Sequence, residues 1–149
     1  MPHIKAKYLE PQQGTGYHAA FNGIAAEALA ANDLVIATGH SGDRVKWSKA
    51  DANVAGLRAG AMGIADHAAA NGASVRIVSH KLITGVDTDA SSGVGYPVYL
   101  SDTAGSWTVT APTEDVVVGS VLADDATTGA ILLAPAHCAS AVTTQAQTP

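Results

Sequence analysis

The chain has 149 residues, of which 47% are apolar but only 5% aromatic and 14% charged, with a formal net charge of −5. That length suits one domain, with or without arms, and the lone Cys138 excludes an intrachain disulfide and a thiolate zinc cluster. No cluster of Lys and Arg interleaves with aromatics, which argues against a nucleic-acid partner, and no stretch has the apolar length of a membrane span.

The charge is unevenly placed. Every basic residue lies at or before Lys81, and only acids follow: Asp87, Asp89, Asp102, Glu114, Asp115, Asp124 and Asp125. Plain solubility is one reading of this pattern; an electrically polar particle with one end facing an acidic partner is the other.

Residues 1–21 read as an extended N-terminal arm. Glu10-Pro11-Gln12-Gln13-Gly14-Thr15-Gly16 carries turn signals and no sustained period. The first residues lack the apolar core of a signal peptide, so synthesis in a host cytoplasm is expected. Residues 136–149, rich in Ala, Thr and Gln, read as a flexible C-terminal tail.

Between the arms, over residues 22–135, the apolar signal is short and strand-like. Ile24 to Ala31 holds strong helix formers, but its length is marginal for a helix and Asn32-Asp33 turns the chain at once, so strand followed by turn is expected. Then come Asp33-Leu34-Val35-Ile36-Ala37, the alternating Arg44-Val45-Lys46-Trp47-Ser48, and Ala61 to Ala65. Ser74-Val75-Arg76-Ile77-Val78 and Lys81 to Val86 follow, then Pro97 to Leu100, Trp107 to Thr110, Val116 to Leu122, and Ile131-Leu132-Leu133. About nine short strands at this spacing predict an all-β fold, a compact β-barrel or sandwich.

One pattern recurs. Asn32 to Ala37, a strand with Trp47, Gly63-Ile64-Ala65-Asp66 and Val75 to Val78 are echoed in order. The echo runs through Tyr96 to Leu100, a strand with Trp107, Gly119 to Asp124 and Ile131 to Leu133. Two pseudo-repeated halves are expected, each covering an apolar face of the other. Trp47 and Trp107 then fall at corresponding places, as core aromatics or as a pair of interface anchors.

Chemistry-bearing constellations are sparse. No Gly-x-Ser-x-Gly elbow accompanies the serines and histidines, and His40 and Asp43 read as turn residues. The adjacent His137-Cys138 pair is poorly placed for thiol chemistry. Asp87-Thr88-Asp89 lacks the other ligands of a calcium loop, His3, His18, His40, His67, His80 and His137 are scattered, and no glycine-rich phosphate loop is present. The expectation is a protein without cofactor, metal or catalytic residues.

In order, these segments resemble a known family. Ala26 to Val35, Arg44 to Asp51, Gly63-Ile64-Ala65, the Ala-rich turn before Val75, and Tyr96 to Gly105 with Thr110-Ala111-Pro112-Thr113 are similar to capsid decoration, or cement, proteins of tailed bacteriophages. The resemblance spans roughly residues 22–135. It implies a structural virion protein that binds the outer surface of an assembled head and ties neighbouring major capsid proteins together. It also implies a homotrimer at three-fold or quasi-three-fold positions. The Tyr96 hairpin is similar to tail and fibre proteins too, so a carbohydrate- or receptor-binding module of a tail or fibre is the alternative. Capsid binding is expected in the arm: Ile4, Tyr8 and Leu9 are apolar anchors, with Lys5 and Lys7 between them. Ile4, Ala6 and Tyr8 would share one face of an extended strand, a form that adds readily to an open sheet edge.

Overall fold

The computed structural model describes residues 20–135. The described residues form ten strands and one 3-10 turn, Ala55–Leu57. The all-β expectation holds, with ten strands in place of about nine. The first of them, β1, runs Ala20–Ala25 and so begins ahead of the strand expected at Ile24. Its first two residues, Ala20 and Phe21, fall within the range read as arm and pair with Val78 and Ile77. Ile24 to Ala31 is strand and then turn, as its short length dictates.

The first five strands close into a barrel of order β1-β3-β2-β4-β5, with β2 at Leu34–Ser41, β3 at Arg44–Lys49, β4 at Met62–Ala65 and β5 at Ser74–Val78. The other five form an open sheet of order β6-β10-β9-β7-β8, with β6 at Lys81–Val86, β7 at Pro97–Leu100, β8 at Trp107–Thr108, β9 at Val117–Ala123 and β10 at Gly129–Leu133.

The two halves are wound alike, residue by residue. β2 pairs with β4 through Leu34–Ile64 and Val35–Gly63, and β7 pairs with β9 through Pro97–Ser120 and Val98–Gly119. Ile64 and Ala65 face Val78 and Ile77, while Ser120 and Val121 face Leu132 and Ile131. Val78 and Ile77 face Ala20 and Phe21, while Leu132 and Ile131 face Leu82 and Ile83. Trp47 stands opposite Ala37 and Trp107 opposite Leu100, so the two tryptophans are register equivalents. One difference separates the halves: β1 also pairs in parallel with β3 and closes the barrel, whereas β6 and β8 are the two edges of the sheet.

Alternation along the strands builds two cores. Ala25, Leu29, Val35, Trp47, Ala65, Val75 and Ile77 fill the barrel. Leu34, Ile36, Met62 and Ile64 point outward from the same strands and are covered by Val98, Leu100, Val118, Val121, Ile131 and Leu133 of the sheet. This explains the unbroken run Leu34-Val35-Ile36, all at most 1% exposed. β2 is buried on both faces, so its sequence does not alternate. Each such side chain contributes about 1.5–3 kcal/mol by leaving water.

Two glycines permit this layering. A Cβ on Gly63 would strike the Ile77 side chain, and one on its equivalent Gly119 would strike the Leu132 carbonyl. The loops are also stapled at matching places. Leu29 and Ala69 exchange backbone hydrogen bonds of 2.8 and 2.9 Å. In the second half the Thr88 N–H donates to the Asp125 carbonyl at 2.9 Å. The Asp125 N–H donates to Thr88 Oγ1 at 2.9 Å, and that hydroxyl donates to the Ala123 carbonyl at 2.8 Å.

Candidate interaction surface

The barrel positions covered by the sheet have counterparts on the outer face of the sheet that are half-buried or exposed among the described residues. Leu34, Ile36, Met62 and Ile64 correspond in register to Pro97, Tyr99, Val117 and Ser120. Val117 is 56% exposed, and so is Leu82, which neighbours Leu132 across the β6–β10 pair. Leu122 is 46% exposed. The outer sheet face is therefore an apolar strip through four strands, with Leu82, Leu132, Tyr99 and Val117 as its larger side chains and no charged residue among them.

The strip is bounded on one side by the free edge of β6. Among the described residues this strand has a partner, β10, on one side only. Edges of this kind are templates for another strand unless charge, proline or a bulge blunts them. β6 is Lys-Leu-Ile-Thr-Gly-Val, with no proline and with its one charge at the first residue. That charge is engaged, since Lys81 Nζ lies 3.1 Å from Asp66 Oδ1. Gly85, at φ +71, shifts the register near the far end.

Beyond that end the chain is acidic. Asp87 and Asp89 follow β6, and the Thr88 staple brings them beside Asp124 and Asp125 of the β9–β10 turn. Ser91 Oγ donates to Asp124 Oδ1 at 3.2 Å. Asp125 Oδ1 accepts from the N–H groups of Thr127 and Thr128 at 2.8 and 2.9 Å. Those backbone donors, Thr127 first, hold its carboxyl at a pKa of about 2 against the ordinary 3.8. Over residues 81–135 Lys81 stands alone against seven acids, so the whole open half is anionic.

The other residues weighed from the sequence have plain places. His40 Nδ1 lies 3.1 Å from the Gly42 carbonyl in the β2–β3 turn. His67 takes a defined tautomer, Nδ1–H donating to the Ala68 carbonyl at 2.9 Å while Nε2 accepts from the Arg76 N–H at 3.2 Å. Asp87 caps its own turn by accepting from the Asp89 N–H at 3.0 Å. Among the described residues no group of three or more His, Cys, Asp or Glu is arranged to hold a metal. Trp47 is 3% exposed inside the barrel, its ring centroid 5.5 Å from that of Phe21 at the barrel mouth. Trp107 is half-buried against the shared core.

Ile4, Lys5, Lys7, Tyr8 and Leu9 lie outside the described residues, as do His3, His18, His137 and Cys138. The outer sheet face and the β6 edge were not singled out by sequence reasoning. The strand Lys81 to Val86 was legible, but being an edge depends on which strands fail to pair.

No protein-family model and no curated protein matches the chain. Among solved structures it is similar to the N base of the head fibre protein gp8.5 of bacteriophage phi29. The match has a TM-score of 0.50 at 13% sequence identity, and covers 81% of this chain and 96% of that one. The likeness is one of fold.

Proposed function

We propose that this chain is a structural component of a tailed-phage virion that binds the outer surface of the assembled head and strengthens the contacts between neighbouring major capsid proteins. The observation that carries the reading is the shared fold: nearly the whole of a phage head fibre base, 96% of its chain, is matched by this one. The order of motifs resembling cement proteins points the same way. The mechanism is thermodynamic. A molecule that binds only the assembled lattice stabilises it by mass action, and repeated copies multiply the effect. Nothing in this mechanism calls for a cofactor or a catalytic group.

In this reading the arm is the tether. Ile4, Tyr8 and Leu9 enter an apolar seam, Lys5 and Lys7 meet acidic groups, and the extended segment adds to a sheet edge of the shell. On the head the protein acts as a homotrimer, whose contacts bury part of the outer sheet face. The test is co-sedimentation of the purified full chain, and of a chain lacking residues 2–12, with heads that lack the protein. The full chain is expected to bind. The shortened one should melt at a near-normal temperature yet bind far more weakly. Equal binding by both removes the arm as the main attachment, and absence of binding by the full chain overturns the head-surface reading. Cryo-EM density as isolated monomers at unrelated lattice sites would contradict the trimer.

A second reading rests on the same likeness. The similar structure is the base of a head fibre, so this domain also suits the anchoring base of a tail or head fibre that displays a further, receptor-binding module.

A further inference from the structure

We infer that the free edge of β6 is the seat of the chain's own N-terminal strand, residues 4–8, in the unattached protein. Four observations converge on that occupant. First, β6 lacks what its equivalent has: β1 is hydrogen-bonded to β5 on one side and to β3 on the other, while β6 has β10 alone among the described residues. Ahead of the bulge at Gly85 its backbone is therefore open to an added strand, and Leu82, 56% exposed, stands beside the opening.

Second, the N-terminal segment enters at the right place. Ala20 pairs with Val78, and β6 begins only three residues after Val78, at Lys81. The segment from Glu10 to Ala19 reaches up to ~33 Å when extended, and the six residues of β6 span only ~20 Å. The strand can therefore lie along its own β6 without strain.

Third, the charges match. Lys5 and Lys7 would lie along an edge that ends at Asp87 and Asp89, with Asp124 and Asp125 behind them, in a half of the molecule whose one basic residue is Lys81. The same charges disfavour the open half of a second copy, which is equally acidic. Fourth, Ile4-Lys5-Ala6-Lys7-Tyr8 alternates with the period of a strand. Placed beside β6 it sets Ile4, Ala6 and Tyr8 on one face, next to the half-buried Ile83 and Val86 that fringe the shared core.

The seat deepens the attachment reading and rests on it for one consequence. If the arm is also the tether, it leaves β6 when the protein meets a head, so attachment is a strand exchange and β6 is its resting partner.

Hydrogen exchange of the β6 amides tests the seat. They are expected to exchange ~10-fold or more slowly in the full chain than in the chain lacking residues 2–12. A synthetic peptide of residues 2–12 should restore the protection, and a K5E/K7E variant of the full chain should lose part of it. The protection should be unchanged over about hundredfold dilution, as an intrachain contact requires. Equal exchange in full and shortened chains overturns the proposal. Protection that fades on dilution, together with a larger particle on sizing, overturns it in favour of a strand received from a second copy. Head binding is read separately: a seated arm combined with normal head binding by the shortened chain sinks the attachment reading and leaves the seat standing.

Discussion

Asn32 and Gly95 occupy the same place in the two halves of the molecule. Each precedes one strand and donates its N–H to that strand's partner, Asn32 to the Ala65 carbonyl of β4 at 2.7 Å and Gly95 to the Val121 carbonyl of β9 at 2.8 Å. Each is left-handed, with φ of 72° and 88°. Asparagine is among the few residues other than glycine that adopt this region at modest cost. Its buried Oδ1 has no hydrogen-bond partner among the described residues, so glycine forfeits no hydrogen bond of that oxygen. Asn32→Gly is therefore expected to leave stability unchanged or raise it slightly, and Asn32→Ala to lower it by about 1 kcal/mol. Urea denaturation of the two variants checks this, and greater loss in the glycine variant would refute it.

The equivalent glycines of β4 and β9 should respond unequally. An added Cβ meets a side chain at Gly63 but a backbone carbonyl at Gly119. A side chain yields by a rotamer change, whereas a carbonyl in a ladder moves only with its strand. Gly63→Ala is expected to cost about 1–3 kcal/mol, and Gly119→Ala more than Gly63→Ala. Thermal melts of both variants decide the order.

Trp47 and Trp107 share a register but not an environment. Trp47→Ala empties the barrel core and is expected to destabilise by about 3–5 kcal/mol. Trp107→Ala, at a half-buried edge, should cost clearly less. Because the buried Trp47 Nε1 has no partner among the described residues, Trp47→Phe should recover most of the loss. Chemical denaturation of the three variants measures this.

Thr88 is 0% exposed and holds the β6–β7 loop to the β9–β10 turn through its hydroxyl. Thr88→Val keeps the shape but leaves the Asp125 N–H and the Ala123 carbonyl short of a partner, at a cost of about 1–3 kcal/mol. Thr88→Ser keeps the hydroxyl and should lie nearer the parent. Faster amide exchange at Asp125 in the valine variant alone is the expected sign.

The Asp125 turn gives a pH dependence of defined sign. Its carboxyl is held at a pKa of about 2 against 3.8 by donors that exist only in the folded turn. A group depressed on folding contributes stability that is fully present above its unfolded pKa and is lost as pH falls through the folded value. The turn should thus hold at pH 5 and loosen between about pH 4 and pH 2. Carboxyl NMR should place the Asp125 midpoint near 2, and Asp125→Asn should flatten the change; a midpoint at the ordinary 3.8 would refute the assignment.

The amino-acid order by itself determined the strands and their doubling. β5, β6 and β7 lie where alternation and turn residues place them, because a period of two and a glycine or asparagine turn are local properties. The pairing of Trp47 with Trp107 across the repeat was legible for the same reason. Only the tertiary structure decided that, among the described residues, the first half closes and the second stays open, since closure depends on whether β1 reaches β3 and β6 reaches β8. It also decided that Leu34, Ile36, Met62 and Ile64 are covered while Tyr99 is half-buried and Val117 exposed. A strand's own sequence records that a face is apolar. What lies against that face, or along an unpaired edge, is set by long-range packing and by residues far away in the chain.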